Sequence, residues 1–296
     1  LSLQALIAGA GPAGCHLAIR LARSGWRVTL ADPLPDPRRN AYSSGALPLR
    51  DANRLFIPQA CRSAHWWGWQ LLNPAGVEHQ WWSDDALGVV LDFAAFRSWL
   101  WGEAVQAGVE LLPGRRVRLL RLDADSAVVR IQANGEASEE RVCSHLVDAT
   151  GARRVLLRQA GVEVDSPEDP LLSGEGSEWL LQGNDRTTAR WRDRLSFMLG
   201  SQWIPHGYGW VFPMGDHQLK VGICRLAPPT RSRASINTAL KRLLNLCGLD
   251  QLPVLDRHGG LVSSTVNRRE TSGSGVLRAV GDSASTANLL GGEGIR

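Results

Sequence analysis

The stretch GAGPAGCHLAIRLARSGWRVTLAD, Gly9–Asp32, constrains the fold more than any other part of the chain. Gly9, Gly11 and Gly14 stand at G-x-G-x-x-G spacing behind the strand-like Gln4–Ala8. Leu17, Ala18 and Leu21 follow at helical spacing, and Gly25 closes the helix. Trp26–Ala31 reads as a second strand, ended by Asp32 and stopped by Pro33. Each glycine has a physical task. Gly9 permits a tight turn, Gly11 lets a diphosphate approach the backbone, and Gly14 lets the helix pack against the sheet. The helix, read over Gly14–Ser24 with Pro12 and Ala13 leading into it, offers at its start N–H groups and the positive end of a dipole to phosphate. Asp32 is placed to accept hydrogen bonds from a ribose diol. A dinucleotide site follows; the competing reading is a glycine turn used for packing alone. NAD and FAD share this opening, so other motifs must separate them.

Composition narrows the class. Of 296 residues 44% are hydrophobic and 21% charged, enough for a sizeable core and unlike a disordered chain. No apolar run reaches the ~18 residues of a membrane span. Leu1–Ala8 lacks the basic start of a signal peptide. The net charge of +4 rests almost wholly on scattered arginines, Lys220 and Lys241 being the only lysines, so the basic stripe of a nucleic-acid protein is not expected. Cys15, Cys61, Cys143, Cys224 and Cys247 show no C-x-x-C spacing, which argues against a metal site and a redox disulfide and fits a reducing, cytoplasmic compartment.

Further along, Phe93–Ala107 reads as a helix, and Val109–Leu112 with Arg116–Asp123 as a strand pair. Ser126–Gln132 and Glu140–Asp148 read as a hairpin about Asn134–Gly135. Asp148-Ala149-Thr150-Gly151 ends a strand on a glycine turn, making Thr150 and Gly151 candidate nucleotide contacts. From about Pro170 to Leu226 strands are separated by turns, Ser232–Cys247 is an amphipathic helix, and Val276–Ser285 is a strand then a turn. The expected architecture is α/β: a Rossmann-like, doubly wound FAD-binding domain with an inserted antiparallel β-sheet substrate domain. The first would comprise 1–60, 84–160 and 258–296, the second 61–83 and 161–257.

The final motif, AVGDSASTANLLGGEGIR, favours FAD. Gly281 ends a strand, and Asp282 can hold the hydroxyls of a ribityl chain. Gly291, Gly292 and Gly294 open a helix whose amides can face negative charge on a reduced isoalloxazine. Among 12 tryptophans, HWWGWQLL and EHQWWS suggest a hairpin about Asn73–Gly76, either a pocket wall or plain core. His206, Tyr208 and Trp210 lie on one strand; Tyr208 and Trp210 alternate onto one face and are candidates for pocket lining, while a lone His206 is more often structural.

GAGPAG…D, DATG and GDSAS…GGEGIR, in this order, resemble the FAD-dependent oxidoreductases that include geranylgeranyl reductases and aromatic hydroxylases. HGYGWVFPMGDHQLKVGIC (His206–Cys224) is similar to the geranylgeranyl reductase pattern in the substrate-domain sheet. The resemblance spans essentially the whole chain, with the family's C-terminal part beyond it. It implies FAD, held by Gly9, Gly11, Gly14, Asp32, Asp282 and the Gly291–Gly294 loop. Two departures stand out. Asp92-Phe93 replaces an Asp-Arg pair, leaving Arg97 one turn later to substitute. Ser43-Ser44-Gly45 replaces a Cys-Gly-Gly-like segment that lies near the flavin in relatives, which makes Ser44 and Gly45 candidate pocket residues. A second G-x-G-x-x-G is absent, so NAD(P)H or a protein donor would dock transiently. The favoured activity is hydride transfer from reduced flavin to a C=C of an apolar, isoprenoid-like substrate. A flavin-dependent monooxygenase ranks second and a non-redox lycopene-cyclase-like enzyme third. No catalytic residue is assigned. A location peripheral to a membrane is open if the substrate is a lipid.

Overall fold

Gln4–Ala8 lies inside a six-stranded sheet of order Gly273–Ser274, Leu277–Ala279, His145–Asp148, Gln4–Ala8, Arg27–Asp32, Glu110–Pro113. In the computed structural model, which describes residues 3–40, 43–133, 135, 137–162, 172–227, 235–265, 267, 272–288 and 294, every pairing in this sheet is parallel except that of the short outermost strand. Parallel strands covered on both faces are apolar throughout, and Ala5, Leu6, Ile7 and Ala8 are all buried. Helix Pro12–Arg23 buries Gly14, Cys15, Ala18 and Ile19. Leu6 and Ala8 pack instead with Ala127, Val129 and Ile131 of a three-stranded antiparallel sheet.

That three-stranded sheet corrects two expectations. Glu110–Pro113 pairs with Arg27–Asp32, whereas Arg116–Leu122 pairs with Ala127–Gln132, so the two do not pair with each other. The stretch expected as one hairpin arm, 140–148, is two strands: Glu139–Cys143 returns along Ala127–Gln132, and His145–Asp148 joins the parallel sheet. Ser144 makes the switch, its hydroxyl donating to the Gln4 carbonyl.

The chain divides into two compact units, Leu1–Ala41 with Arg97–Leu172 and Val262–Arg296, and Tyr42–Phe96 with Ser173–Leu261. The stretches 42–60 and 84–96, expected with the first, lie in the second. Ala46–Pro48 and Arg62–Trp66 both pair with Gly88–Leu91, which keeps 42–96 together.

The second unit holds a seven-stranded sheet of order Val254–Ser264, Leu172–Gln182, Gln218–Ala227, Gly207–Pro213, Arg194–Leu199, Gly68–Leu72, Glu78–Trp82. One face carries Trp179, Leu181, Val211, Val221 and Ile223, covered by Leu240, Leu243 and Leu244 of helix Ile236–Leu246. The other carries Leu195, Trp210 and Phe212, with Phe197 and Tyr208 beside them, and packs on Trp66 and Val90 of the small sheet. The expected tryptophan hairpin is present as Gly68–Leu72 with Glu78–Trp82. Trp66, however, belongs to the small sheet, because the chain turns a corner before Gly68. Val254–Ser264 was not expected as a strand, and Leu172–Gln182 fell only within the broad expectation of strands between Pro170 and Leu226. Glycine and charge interrupt LSGEGSEWLLQ and VLDRHGGLVSS, and period-two alternation is lost.

Candidate functional site

Three chain turns leave the parallel sheet side by side. Ala8 is level with Ala31 and with Asp148, and Asp148 is level with Ala279. The turns after Ala8, Asp148 and Val280 therefore share the carboxyl edge of adjacent strands, where open α/β sheets form their crevices. Gly9 takes φ +108°, and a Cβ there would run into the Ala149 carbonyl. A Cβ on Gly14 would strike the Gly9 carbonyl, so this glycine is required by helix–turn packing. Gly281, at φ +62°, brings the last turn to the first: a Cβ there would lie 2.6 Å from Cβ of Ala13. The two glycine motifs, more than 260 residues apart in sequence, thus touch.

Gly11 behaves differently. It is the N-cap of Pro12–Arg23, no side chain caps the helix there, and a Cβ would meet nothing within 4 Å. The fold itself leaves this space clear. Gly151, at φ +71°, is likewise open on its outer side.

Asp32 is buried at the rim of this space. Its Oδ2 accepts from the Ala10 N–H at 2.8 Å and its Oδ1 from the Leu34 N–H at 2.9 Å. Two bonds leave a carboxylate further acceptor capacity. The Arg97 guanidinium lies 3.8 Å away, itself buried. Burial pulls the Arg97 pKa down, and Asp32 opposes that pull. Asp282 is raised by burial, with Arg154 acting against the shift. A Cβ on Gly294 would lie 3.0 Å from Asp282 Oδ1, which puts that glycine beside the carboxylate. Gly291 and Gly292 lie outside the described residues.

Three residues of this region were not singled out from sequence. Trp101 donates its indole N–H to the Ala10 carbonyl at 2.9 Å, one helical turn beyond Arg97, so i, i+4 spacing was the available signal. Asp148 is fully buried and accepts from the Thr150 N–H and hydroxyl and from the Leu156 and Leu157 N–H groups. The Ser283 hydroxyl, with its one proton, lies within donating distance of both Asp148 Oδ1 at 3.1 Å and the Gly151 carbonyl at 3.0 Å, tying the second turn to the third. Thr150 is accordingly committed: its hydroxyl bonds Asp148 and accepts from the Val155 N–H.

The pocket candidates lie in the second unit. Gly45, at φ +69°, sits over Leu91, and Lys220 donates to the carbonyls of Ser43 and Ser44. Tyr208 is half-buried, Trp210 is buried with its indole N–H on Glu178, and His206 is exposed. The five cysteines are free, and burial raises every thiol, Cys15 to about 12. Among the described residues no cluster of metal-ligating side chains occurs.

The family model of FAD-dependent oxidoreductases, DAO, matches residues 53–285, more than three quarters of the chain. The chain belongs to the FAD-dependent oxidoreductases. This oxidoreductase is 28% identical to digeranylgeranylglycerophospholipid reductase 2 of Methanopyrus kandleri, over all of its own length and 74% of the relative's. It is 26% identical to geranylgeranyl diphosphate reductase of Rhodobacter capsulatus, over all of its length and 72% of the relative's. Among solved structures it superposes on a geranylgeranyl bacteriochlorophyll reductase-like protein of Thermoplasma acidophilum with a TM-score of 0.84 at 22% identity, covering 100% of this chain and 75% of the other. The halogenase PltM, solved with FAD, shares the fold at a TM-score of 0.75 and 14% identity, covering 100% of this chain and 66% of the other. Its cofactor is FAD, and the clear space at Gly11, the helix start and the two flanking carboxylates fit such a group. Among the described residues no helix is long and apolar enough to cross a membrane.

Proposed function

We propose that this oxidoreductase saturates a carbon–carbon double bond of an isoprenoid chain. When bound, FAD supplies a carrier that takes up hydride from a donor and passes it on. The protein's own part is to bind and orient. Gly11 and the amides of Ala13 and Gly14 would receive the diphosphate, with Asp32 and Arg97 at the adjoining ribose and Asp282 with Gly281 and Gly294 at the ribityl side. The observation that carries the cofactor half is the close packing of Gly281 on Ala13, so tight that a Cβ on Gly281 would lie 2.6 Å from that of Ala13, which brings two distant motifs to one crevice.

The substrate half rests on the apolar sheet face of the second unit and on relatives whose names specify geranylgeranyl substrates. Phe197, Tyr208, Trp210 and Phe212 form a row of rings on that face, successive centroids 5.8–6.3 Å apart. Trp210 and Phe212 are buried where this face packs on the small sheet, while the half-buried rings of Phe197 and Tyr208 leave apolar surface that suits a long hydrocarbon chain. In the reaction one alkene carbon gains hydride and its neighbour a proton, so the product carries one more hydrogen pair. Hydride is supplied by NAD(P)H or by a protein donor that docks transiently.

Anaerobic incubation with dithionite and geranylgeranyl diphosphate tests this reading. Mass spectrometry should find products enriched in hydrogen. Products that carry oxygen, formed only in air with NAD(P)H, would replace the reductase with a monooxygenase.

A further inference from the structure

A row of buried charge crosses the otherwise apolar face of the seven-stranded sheet. Asp256 is half exposed, and its Oδ2 lies 2.9 Å from His258 Nδ1. His258 Nε2 lies 3.0 Å from Glu178 Oε1. Glu178 Oε2 accepts the Trp210 indole N–H at 2.7 Å. On the neighbouring strand, Lys220 Nζ donates to the carbonyls of Ser43 at 2.7 Å, Ser44 at 3.3 Å and Leu91 at 3.3 Å. Three carbonyl acceptors use all three N–H groups of an ammonium. Both imidazole nitrogens face carboxylates, which an imidazolium satisfies and a neutral ring does not. The signs therefore alternate from the surface inward: Asp256, His258, Glu178, Lys220.

Register explains how the row forms. Glu178 stands opposite Gly222, and Gly222 opposite Trp210. A Cβ on Gly222 would enter the Trp210 ring, so the indole lies flat across that glycine to reach Glu178. Charged groups buried at 3–5% exposure are costly unless each does something for its neighbours. Here Glu178 fixes the orientation of one ring in the aromatic row, and Lys220 fixes the Ser43–Gly45 segment.

We propose that Glu178, braced by His258, is a positioning residue of the substrate site, setting the Trp210 ring against which an apolar chain is aligned, while Lys220 separately holds the Ser43–Gly45 segment. This rests on the reductase reading for the identity of the ligand, but not for the existence of the brace. Burial alone would pull His258 below its ordinary pKa; the two carboxylates outweigh it and leave the group raised. Burial lowers Lys220, with Glu178 and Asp92 pulling it back.

The test uses the FAD-loaded full chain labelled with 5-fluorotryptophan, the Trp210 resonance being assigned with Trp210→Phe. In the unsubstituted protein that resonance should titrate with pH. His258→Gln should abolish the titration, and Glu178→Ala should displace the resonance. The same samples are titrated with geranylgeraniol. Glu178→Ala should weaken its binding about tenfold, Glu178→Gln should restore most of it, and flavin content should stay unchanged. A Trp210 resonance indifferent to Glu178→Ala would overturn the brace. A displaced resonance with unchanged geranylgeraniol affinity would overturn its role at the substrate site. If geranylgeraniol fails to bind the unsubstituted protein while Trp210 still titrates, the isoprenoid reading falls, and the positioning of an apolar ligand by Glu178 falls with it. A binding loss in Glu178→Ala that Glu178→Gln does not rescue would also count against a positioning role, since it would reflect general disruption of the sheet.

Discussion

The two units build their candidate sites from different material. In the first, the crevice beside Gly9–Gly14 is made of backbone: missing side chains, a helix start and turns locked by Asp148 and Ser283. In the second, the face around Trp210 is made of side chains, whose placement depends on strand register and on a buried row of charge. A backbone site is fixed once the turn has folded and can be written in a few adjacent residues. A side-chain site is fixed only when distant strands have paired, so its parts can be separately exchanged.

The largest effect should come from setting glycine against glycine in the first unit. Gly14→Ala drives a methyl into the Gly9 carbonyl and should cost about 3 kcal/mol or more, lowering the thermal midpoint sharply. Gly11→Val places its side chain in clear space and should leave the midpoint of the apoprotein nearly unchanged while the protein loses its flavin absorbance. If Gly11→Val stays yellow with stoichiometric flavin, the backbone crevice is not the cofactor site. If both variants lose stability equally, the distinction between packing and binding glycines disappears.

Next in size is Gly222→Ala in the second unit. The methyl would displace the Trp210 ring and break its bond to a buried carboxylate, costing roughly 2–4 kcal/mol. Trp210→Phe should relieve that clash only in part, leaving Glu178 without its indole donor. A Gly222→Ala variant as stable as the parent would show that the second unit also tolerates change at its glycines, and the contrast between the units would reverse.

These expectations trace what the sequence could reveal. Gly9–Asp32 was legible because turn, helix start and acidic residue lie within one βαβ unit. The partnership of Gly281 with Ala13 was legible only as a pattern of two motifs in order, and register turned it into a contact. Glu178, Lys220 and His258 were not legible. Glu178 is 32 positions from Trp210 and 80 from His258, and its strand is diluted by Gly174, Glu175 and Gly176. Gly222 sat in a recognisable motif, but the reason for a glycine there is the breadth of an indole from the next strand.

Acidity offers a smaller probe of the same contrast. His258 is raised above its ordinary value of 6.5, so in the folded state it keeps its proton to higher pH. Its contribution is complete below 6.5 and is lost as pH rises through the folded value. Unfolding by urea should therefore show stability falling as pH rises across that interval, and His258→Gln should flatten this component. A fall that survives the substitution would assign the titration elsewhere and weaken the case for a charged brace.

The smallest effect should appear where the second unit places a side chain at a position that ordinarily suits glycine. Helix Leu49–Arg54 ends at Leu55, and Phe56 follows at φ +53°, the residue 84% exposed. The Phe56 N–H bonds the Asn53 carbonyl and the Ile57 N–H the Ala52 carbonyl, both at 3.0 Å, the pattern that normally closes on a glycine. A left-handed conformation costs a side-chain-bearing residue about 1–2 kcal/mol, while glycine loses about 0.5–1 kcal/mol more entropy on folding. Phe56→Gly should therefore stabilise the chain by about 0.5–1 kcal/mol in urea titrations, with Phe56→Ala gaining nothing. Loss of stability in the glycine variant would mean that the exposed ring contributes contacts to the fold, and that even a turn in this unit is held by its side chain.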